Sequence, residues 1–204
     1  MKALRLMLSG GLLALLLWPL AALADLPAAE DFYVNDFADV LTLEEEAELR
    51  GRLTDLREET RIHGVVTTLR SPIDYDGPTG LAAFATALFN DWGIGDRIRN
   101  DGFLILVATD TREIRIELGA GYEPVWDNRA QRVIDALMVP LLRDERYAEG
   151  LEAGVSGVAD YIARPLSQGV SFTATEGMPD APEENENDLV TFLTFMALIG
   201  CMVL

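Results

Sequence analysis

Trp92 to Glu123 reads WGIGDRIRNDGFLILVATDTREIRIELGAGYE, and the order of apolar and polar residues within it decides how the chain folds. Phe103 to Ala108 is an unbroken apolar block, the pattern of a central strand covered on both faces. Ile114, Ile116 and Leu118 alternate with Glu113, Arg115 and Glu117, so the strand period of two sorts them onto opposite faces. The short polar segment Thr109 to Arg112 between the two runs predicts an antiparallel hairpin. The start of its first strand then lies beside the end of its second. The loops Asp91 to Gly102 and Gly119 to Glu123 are therefore expected to face each other, bringing Asp91, Asp96, Asn100, Asp101 and Glu123 into one oxygen-rich cluster. Gly102, Gly119 and Gly121 permit the close backbone approach this requires.

Outward from the hairpin, helices and strands interleave. Thr42-Leu43-Glu44-Glu45 is a capping box, followed by Leu49, Leu53 and Leu56 on one helical face as far as about Glu59. His63 to Leu69 reads as a β-branched strand, and Ser71 to Gly80, with its prolines and glycines, as a loop. Leu81, Phe84, Ala85, Leu88, Phe89 and Trp92 form a helical stripe, so strand, helix and strand make a parallel crossover unit, expected to be right-handed. After the hairpin, Asp127 or Asn128 is expected to cap a helix carrying Ile134, Leu137, Met138 and Leu141, with Pro140 at its end or at a kink. A last helix carries Tyr147, Leu151, Val155, Val158 and Ile162. The expected fold class is α/β, a mixed sheet covered on two faces, with no internal repeat.

The ends carry addresses. Lys2 and Arg5, an apolar run from Leu6 to Leu20 and Ala22-Leu23-Ala24 before Asp25 form an export signal over residues 1–24, with an uncleaved amino-terminal anchor as the alternative. Residues 25–165 are expected to form one domain of roughly 140 residues, an ordinary single-domain length. Residues 166–188 are read as an acidic disordered linker, because Thr175 to Asp188 is rich in acids and prolines, without a basic residue or a period. Leu189 to Leu204 contains no charge; as a helix it rises about 24 Å against a hydrocarbon core of about 30 Å. It is expected to be a transmembrane helix cut off by the end of the sequence, with a buried core helix as the alternative. This places the domain outside the cytoplasm, in the periplasm, anchored in the cell membrane.

The 34 acidic residues against 16 basic ones give a net charge of −18. Without Lys2 and Arg5, 14 basic residues remain, all arginine, and 14 against 34 is −20. Such a surface repels nucleic acid and favours cations and basic partners. The only cysteine, Cys201, lies in the apolar tail, so the exported domain has neither disulfide nor thiol chemistry.

Gly-x-Ser-x-Gly, His-Glu-x-x-His, Gly-Lys-Ser and dinucleotide glycine motifs are all absent, and no nucleotide cofactor is expected. The lone His63 has no nitrogen or sulfur partners for zinc and is expected to be an exposed or half-buried side chain. Oxygen chemistry remains. Hard cations take carboxylate, amide and carbonyl oxygens together, and the two loops at the hairpin's open end offer these. Solvated surface carboxylates are the plainer reading of each acid. Arg97, Arg99 and Arg115 lie near them in sequence, to pair with them or to hold a phosphate.

Asp36-Phe37-Ala38-Asp39-Val40-Leu41, Trp92-Gly93-Ile94-Gly95, Asp101-Gly102 with the strand to Ala108, and Glu117-Leu118-Gly119-Ala120-Gly121-Tyr122-Glu123 together resemble the TPM domain family. The spacing of Arg143, Tyr147, Gly150 and Gly154 fits as well, and the resemblance runs from Val34 to about Ile162. It implies a three-layer α/β/α sandwich around a small mixed sheet. It also implies divalent-cation binding at acidic loops, calcium above all, in some members, and acid phosphatase activity in some plant members. The family's acidic positions fall on Asp36, Asp101 and Glu123. Where relatives often have Asp-Asn-Gly this chain has Asn100-Asp101-Gly102, so Asn100 joins Asp101 as a candidate ligand, with Asp96 beside them. Asp36 is open to another role, bracing the amino-terminal segment at the opposite sheet edge.

Three functions are thus expected to compete: a membrane-tethered domain that binds a divalent cation and acts through envelope or membrane proteins, a metal-assisted phosphomonoesterase, and a metal-free interaction module.

Overall fold

The structure is a computed structural model and describes residues 26–75, 77–170 and 176–180. The expected export signal, most of the acidic linker and the apolar run from Leu189 lie outside these residues. Among the described residues no helix is long and apolar enough to cross a membrane.

Four strands form one sheet in the order β1 (Val34–Asp36), β2 (Gly64–Leu69), β3 (Phe103–Ala108) and β4 (Glu113–Leu118). The first three run parallel and the last pair is antiparallel, with Phe103 opposite Leu118 and Ala108 opposite Glu113. The antiparallel hairpin read from the sequence is therefore present. Helix α1 (Leu43–Thr60) begins at the expected capping box: Thr42 Oγ1 accepts from the Glu45 N–H, and Glu45 Oε2 accepts from the Thr42 N–H at 2.7 Å.

The sheet's period of two divides the core. Val34, Val66, Phe103, Ile105, Val107 and Ile116 pack beneath α1 and the carboxyl-terminal helices. Val65, Leu69, Leu104, Leu106 and Ala108 pack beneath α2 (Leu81–Asp91) alone. The result is a three-layer α/β/α arrangement with one thick helical layer and one thin one. The strand order advances in the same direction at both crossovers, yet α1 and α2 lie on opposite faces. The two crossovers thus have opposite hands, and one of them departs from the right-handed rule.

The face of β4 expected to be polar is only partly so. Glu117 is buried, where its carboxylate accepts from Thr86 Oγ1 of α2 at 2.7 Å and from Arg115 Nη2 at 2.7 Å.

Helix α3 (Pro124–Val133) starts earlier than Asp127 or Asn128, with Glu123 at its N-cap and Pro124 in its first turn. The fixed φ of proline suits that position and its missing N–H costs nothing there. Pro140 does not end the helix. A π-helical turn, Ile134–Met138, precedes α4 (Val139–Arg143), and the Val139 N–H reaches back to the Ile134 carbonyl. This wider turn makes room for a ring that would otherwise strike the carbonyl four residues earlier. The device recurs after α5 (Tyr147–Val158), where the π turn Ala159–Ala163 precedes Pro165 in α6 (Arg164–Ser167).

Helix α6 ends at Ser167, and Met178 packs on the thick layer. Buried Arg129 helps hold that return segment, donating from Nε to the Tyr161 carbonyl at 2.7 Å and from Nη1 to the Glu176 carbonyl at 3.1 Å.

Candidate functional site

The open end of the β3–β4 hairpin is closed by main-chain contact. The Gly119 N–H donates to the Gly102 carbonyl, and the Gly121 N–H to the Asn100 carbonyl, each at 2.9 Å. A Cβ on Gly119 would lie 2.1 Å from the Asn100 oxygen, and one on Gly121 would lie 2.0 Å from the Arg99 oxygen. Only glycine fits, because the atoms opposite are backbone and cannot swing aside. The two loops face each other as the hairpin argument requires.

The acids they carry do not form one cluster. Asp96 Oδ1 accepts from the Ile98 and Arg99 N–H groups at 2.9 Å, and these bonds hold its carboxyl below the usual range. Its other oxygen lies 3.5 Å from Arg99 Nη1. Asp101 is buried, with Oδ2 accepting from Arg99 Nε at 2.5 Å and Oδ1 from the Asp96 N–H at 3.4 Å. The Asp101 hydrogen bond, reinforced by the charges of both acids, raises the Arg99 guanidinium further above its ordinary value. Arg99 is the centre of the group because it lies between the two acids in the same loop. Asn100 is exposed at φ +50, with its carbonyl committed to Gly121. Glu123 is exposed at the N-cap of α3, and its side chain makes no capping bond. Asp91 is exposed at the last position of α2.

Asp36 is not at this edge. In the parallel register it pairs with Thr68, which pairs with Val107, whereas Asp101 precedes Phe103. At about 3.3 Å per residue, the six residues from 101 to 107 separate the two ends by ~20 Å. Asp36 braces the turn before α1, accepting from the Thr68 hydroxyl and from the Leu41 N–H at 2.8 Å. Among the described residues no three His, Cys, Asp or Glu side chains converge as a metal cluster.

Beside the acids lies His63, joined by Arg57 and Arg61, which the sequence did not single out. His63 is buried, not exposed or half-buried as expected. Its Nε2 lies 3.0 Å from the Phe32 carbonyl, and its Nδ1 is 3.3 Å from the Gly95 N–H. A neutral ring protonated at Nε2 satisfies both. Burial, with a smaller contribution from the Arg57 charge, lowers its pKa. The ring stacks on Phe32 at 4.1 Å between centroids, and Arg57 lies 4.8 Å from the same Phe32 centroid. Arg57, Arg61, His63, Asp96 and Arg99 line a cavity of about 490 Å³. The available signal was the pair Arg57 and Arg61, one helical turn apart and followed closely by the histidine.

The TPM domain profile matches residues 34–161, well over half of the chain. The chain belongs to the TPM domain family. This TPM domain is similar to the solution structure of the N-terminal domain of a P. gingivalis protein, at 35% identity, covering 62% of this chain and 78% of that one with a TM-score of 0.54. It also resembles the N-terminal domain of the cg2496 protein of Corynebacterium glutamicum, at 13% identity, TM-score 0.51, and 80% and 95% coverage of the two chains. The BA42 protein of Bizionia argentinensis has 17% identity and a TM-score of 0.51, with 75% and 92% coverage. The last two show likeness of fold alone. No curated protein matches the chain.

Proposed function

We propose that this TPM domain binds a divalent cation, calcium foremost, at the open end of the hairpin, and acts from a membrane anchor through contact with envelope or membrane proteins. One observation carries the cation reading: the carboxylates of Asp96 and Asp101 converge on a single cationic group, Arg99, whose side chain is half exposed and also donates from Nη2 to the Arg61 carbonyl at 3.1 Å. Two carboxylates meeting at one point are a donor set for a hard cation, with water completing the shell. Glu123 and Asn100, on the same two loops, are the further oxygen donors. A bound ion supplies the positive charge that Arg99 now provides. Arg99 then turns into the adjoining cavity, beside Arg57 and Arg61.

Calcium is therefore expected to raise the melting temperature of the wild type, by an amount set by its concentration relative to the dissociation constant. Asp101→Asn should abolish that rise. Arg99→Gln should make it appear at lower calcium, because the competing charge is gone. No metal-dependent shift in wild type or Arg99→Gln at millimolar calcium, manganese or magnesium would sink the cation reading and leave a metal-free contact surface. The anchor is tested separately by membrane fractionation of the full chain, where quantitative release of the intact chain refutes it.

The cavity lined by Arg57, Arg61 and Arg99 favours a second reading, a metal-assisted phosphomonoesterase, since arginine forks match phosphate oxygens. Phosphate release from a generic ester, lost in Arg57→Gln and Arg61→Gln and dependent on added metal, is its test.

A further inference from the structure

At the other end of the sheet, a second cavity of about 310 Å³ opens between the hairpin turn and the α4–α5 corner. Its walls include Val107 of β3, Ile114 of β4, and Val139 and Leu142 of α4; Arg143 and Tyr147 supply polar groups. Arg143 is exposed, and no carboxylate among the described residues pairs with it. The Tyr147 hydroxyl likewise has no hydrogen-bond partner among the described residues. Arg112 also lines the cavity, and its only ion pair among the described residues, with Glu145 at 3.8 Å, joins two side chains at least 70% exposed.

We infer that this cavity binds an aliphatic carboxylate, its chain against Ile114, Val139 and Leu142 and its carboxylate on Arg143 and the Tyr147 hydroxyl. The volume lies at the lower end of small-ligand pockets, which suits a single short chain. A guanidinium fork matches a carboxylate through two parallel hydrogen bonds, and tyrosine adds a third donor. The chain's overall negative charge opposes this ligand and favours an amine, so a preference for the acid reports the local arginine and not the general field. The site lies at the opposite end of the sheet from Asp101, and it stands or falls independently of the cation reading.

Octanoate is the probe, titrated into residues 25–180 and followed by methyl NMR and calorimetry. This segment contains both core clusters, and isolated N-terminal domains of two relatives likewise fold in solution. Saturable millimolar or tighter binding is expected, with the largest shifts at Ile114, Val139 and Leu142. Hexanoate should bind roughly tenfold more weakly for its two missing methylenes. Octanol and octylamine should bind far less well than octanoate. Arg143→Gln, a change at an exposed side chain, should weaken octanoate about tenfold or more, and Val139→Phe should block it by filling the cavity. Equal binding of octanol or octylamine, an unchanged affinity in Arg143→Gln, shifts at other residues, or no saturable binding at millimolar octanoate would each overturn the inference.

Discussion

The Tyr122 hydroxyl donates to the main-chain carbonyl of Asp101 at 2.7 Å, so the loop that leaves β4 is bolted to the residue that precedes β3. Burial raises the Tyr122 pKa well above its ordinary value, and the phenol remains a donor across the usable pH range. Tyr122→Phe keeps the ring and strands the carbonyl. It should lower stability by about 1–3 kcal/mol, read as a shift of the denaturation midpoint at constant slope. A variant as stable as the wild type would show that water replaces the phenol.

Glycine should be indispensable at some positions and a liability at others. Gly119→Ala and Gly121→Ala each drive a methyl into a main-chain oxygen about 2 Å away, so loop and strand must separate. A loss of about 2 kcal/mol or more is expected for each. Gly51 lies exposed inside α1 with nothing within 4 Å of its would-be Cβ. Gly51→Ala should add about 0.5–1 kcal/mol from backbone entropy alone. Parallel thermal melts check the pair, and equal effects at the three positions would contradict the geometry.

Adjacent threonines of β2 should respond oppositely to one substitution. Thr67 Oγ1 is fully buried and has no hydrogen-bond partner among the described residues. Thr67→Val removes an unsatisfied hydroxyl at nearly constant shape and should stabilise by about 1 kcal/mol. The Thr68 hydroxyl instead donates to Asp36 and accepts from the Ala38 N–H at 3.3 Å. Thr68→Val leaves a carboxylate without its donor and should cost about 1–3 kcal/mol. Chemical denaturation of the two variants decides the matter through the signs alone.

His63 should make the domain sensitive to mild acid. Its folded pKa is lowered from the ordinary 6.5, mainly by burial, so the unfolded chain binds the proton more readily. Stability is then full above the unfolded value and falls as pH drops from about 6.5 towards the lower folded pKa, below which this loss is complete. A proton on Nδ1 would also face the Gly95 N–H. His63→Gln should flatten the pH dependence of the melting temperature across that window. An equally steep profile in the variant would assign the effect to other groups.

The layered α/β fold was legible because each of its signals is local. A capping box at Thr42, an apolar block at Phe103–Ala108 and alternation at Glu113–Leu118 act within a turn of helix or a single strand, and the structure keeps all three. The facing of the two glycine loops followed as well, since an antiparallel hairpin leaves no other place for its open ends. The hands of the two crossovers did not follow. They depend on which face each helix covers, a choice made by the whole core. Nor did the partners of the acids follow. Charge alone foretells repulsion among Asp96, Asp101 and Glu123, whereas Arg99, held between two of them by its own loop, turns repulsion into pairing. The removal of Asp36 to the far end of the sheet follows from the parallel pairing of β1 with β2, and the burial of His63 follows from its packing against Phe32. Local patterning thus determined which segments become helix and strand, while long-range pairing, which no short window of residues encodes, decided which charged groups meet.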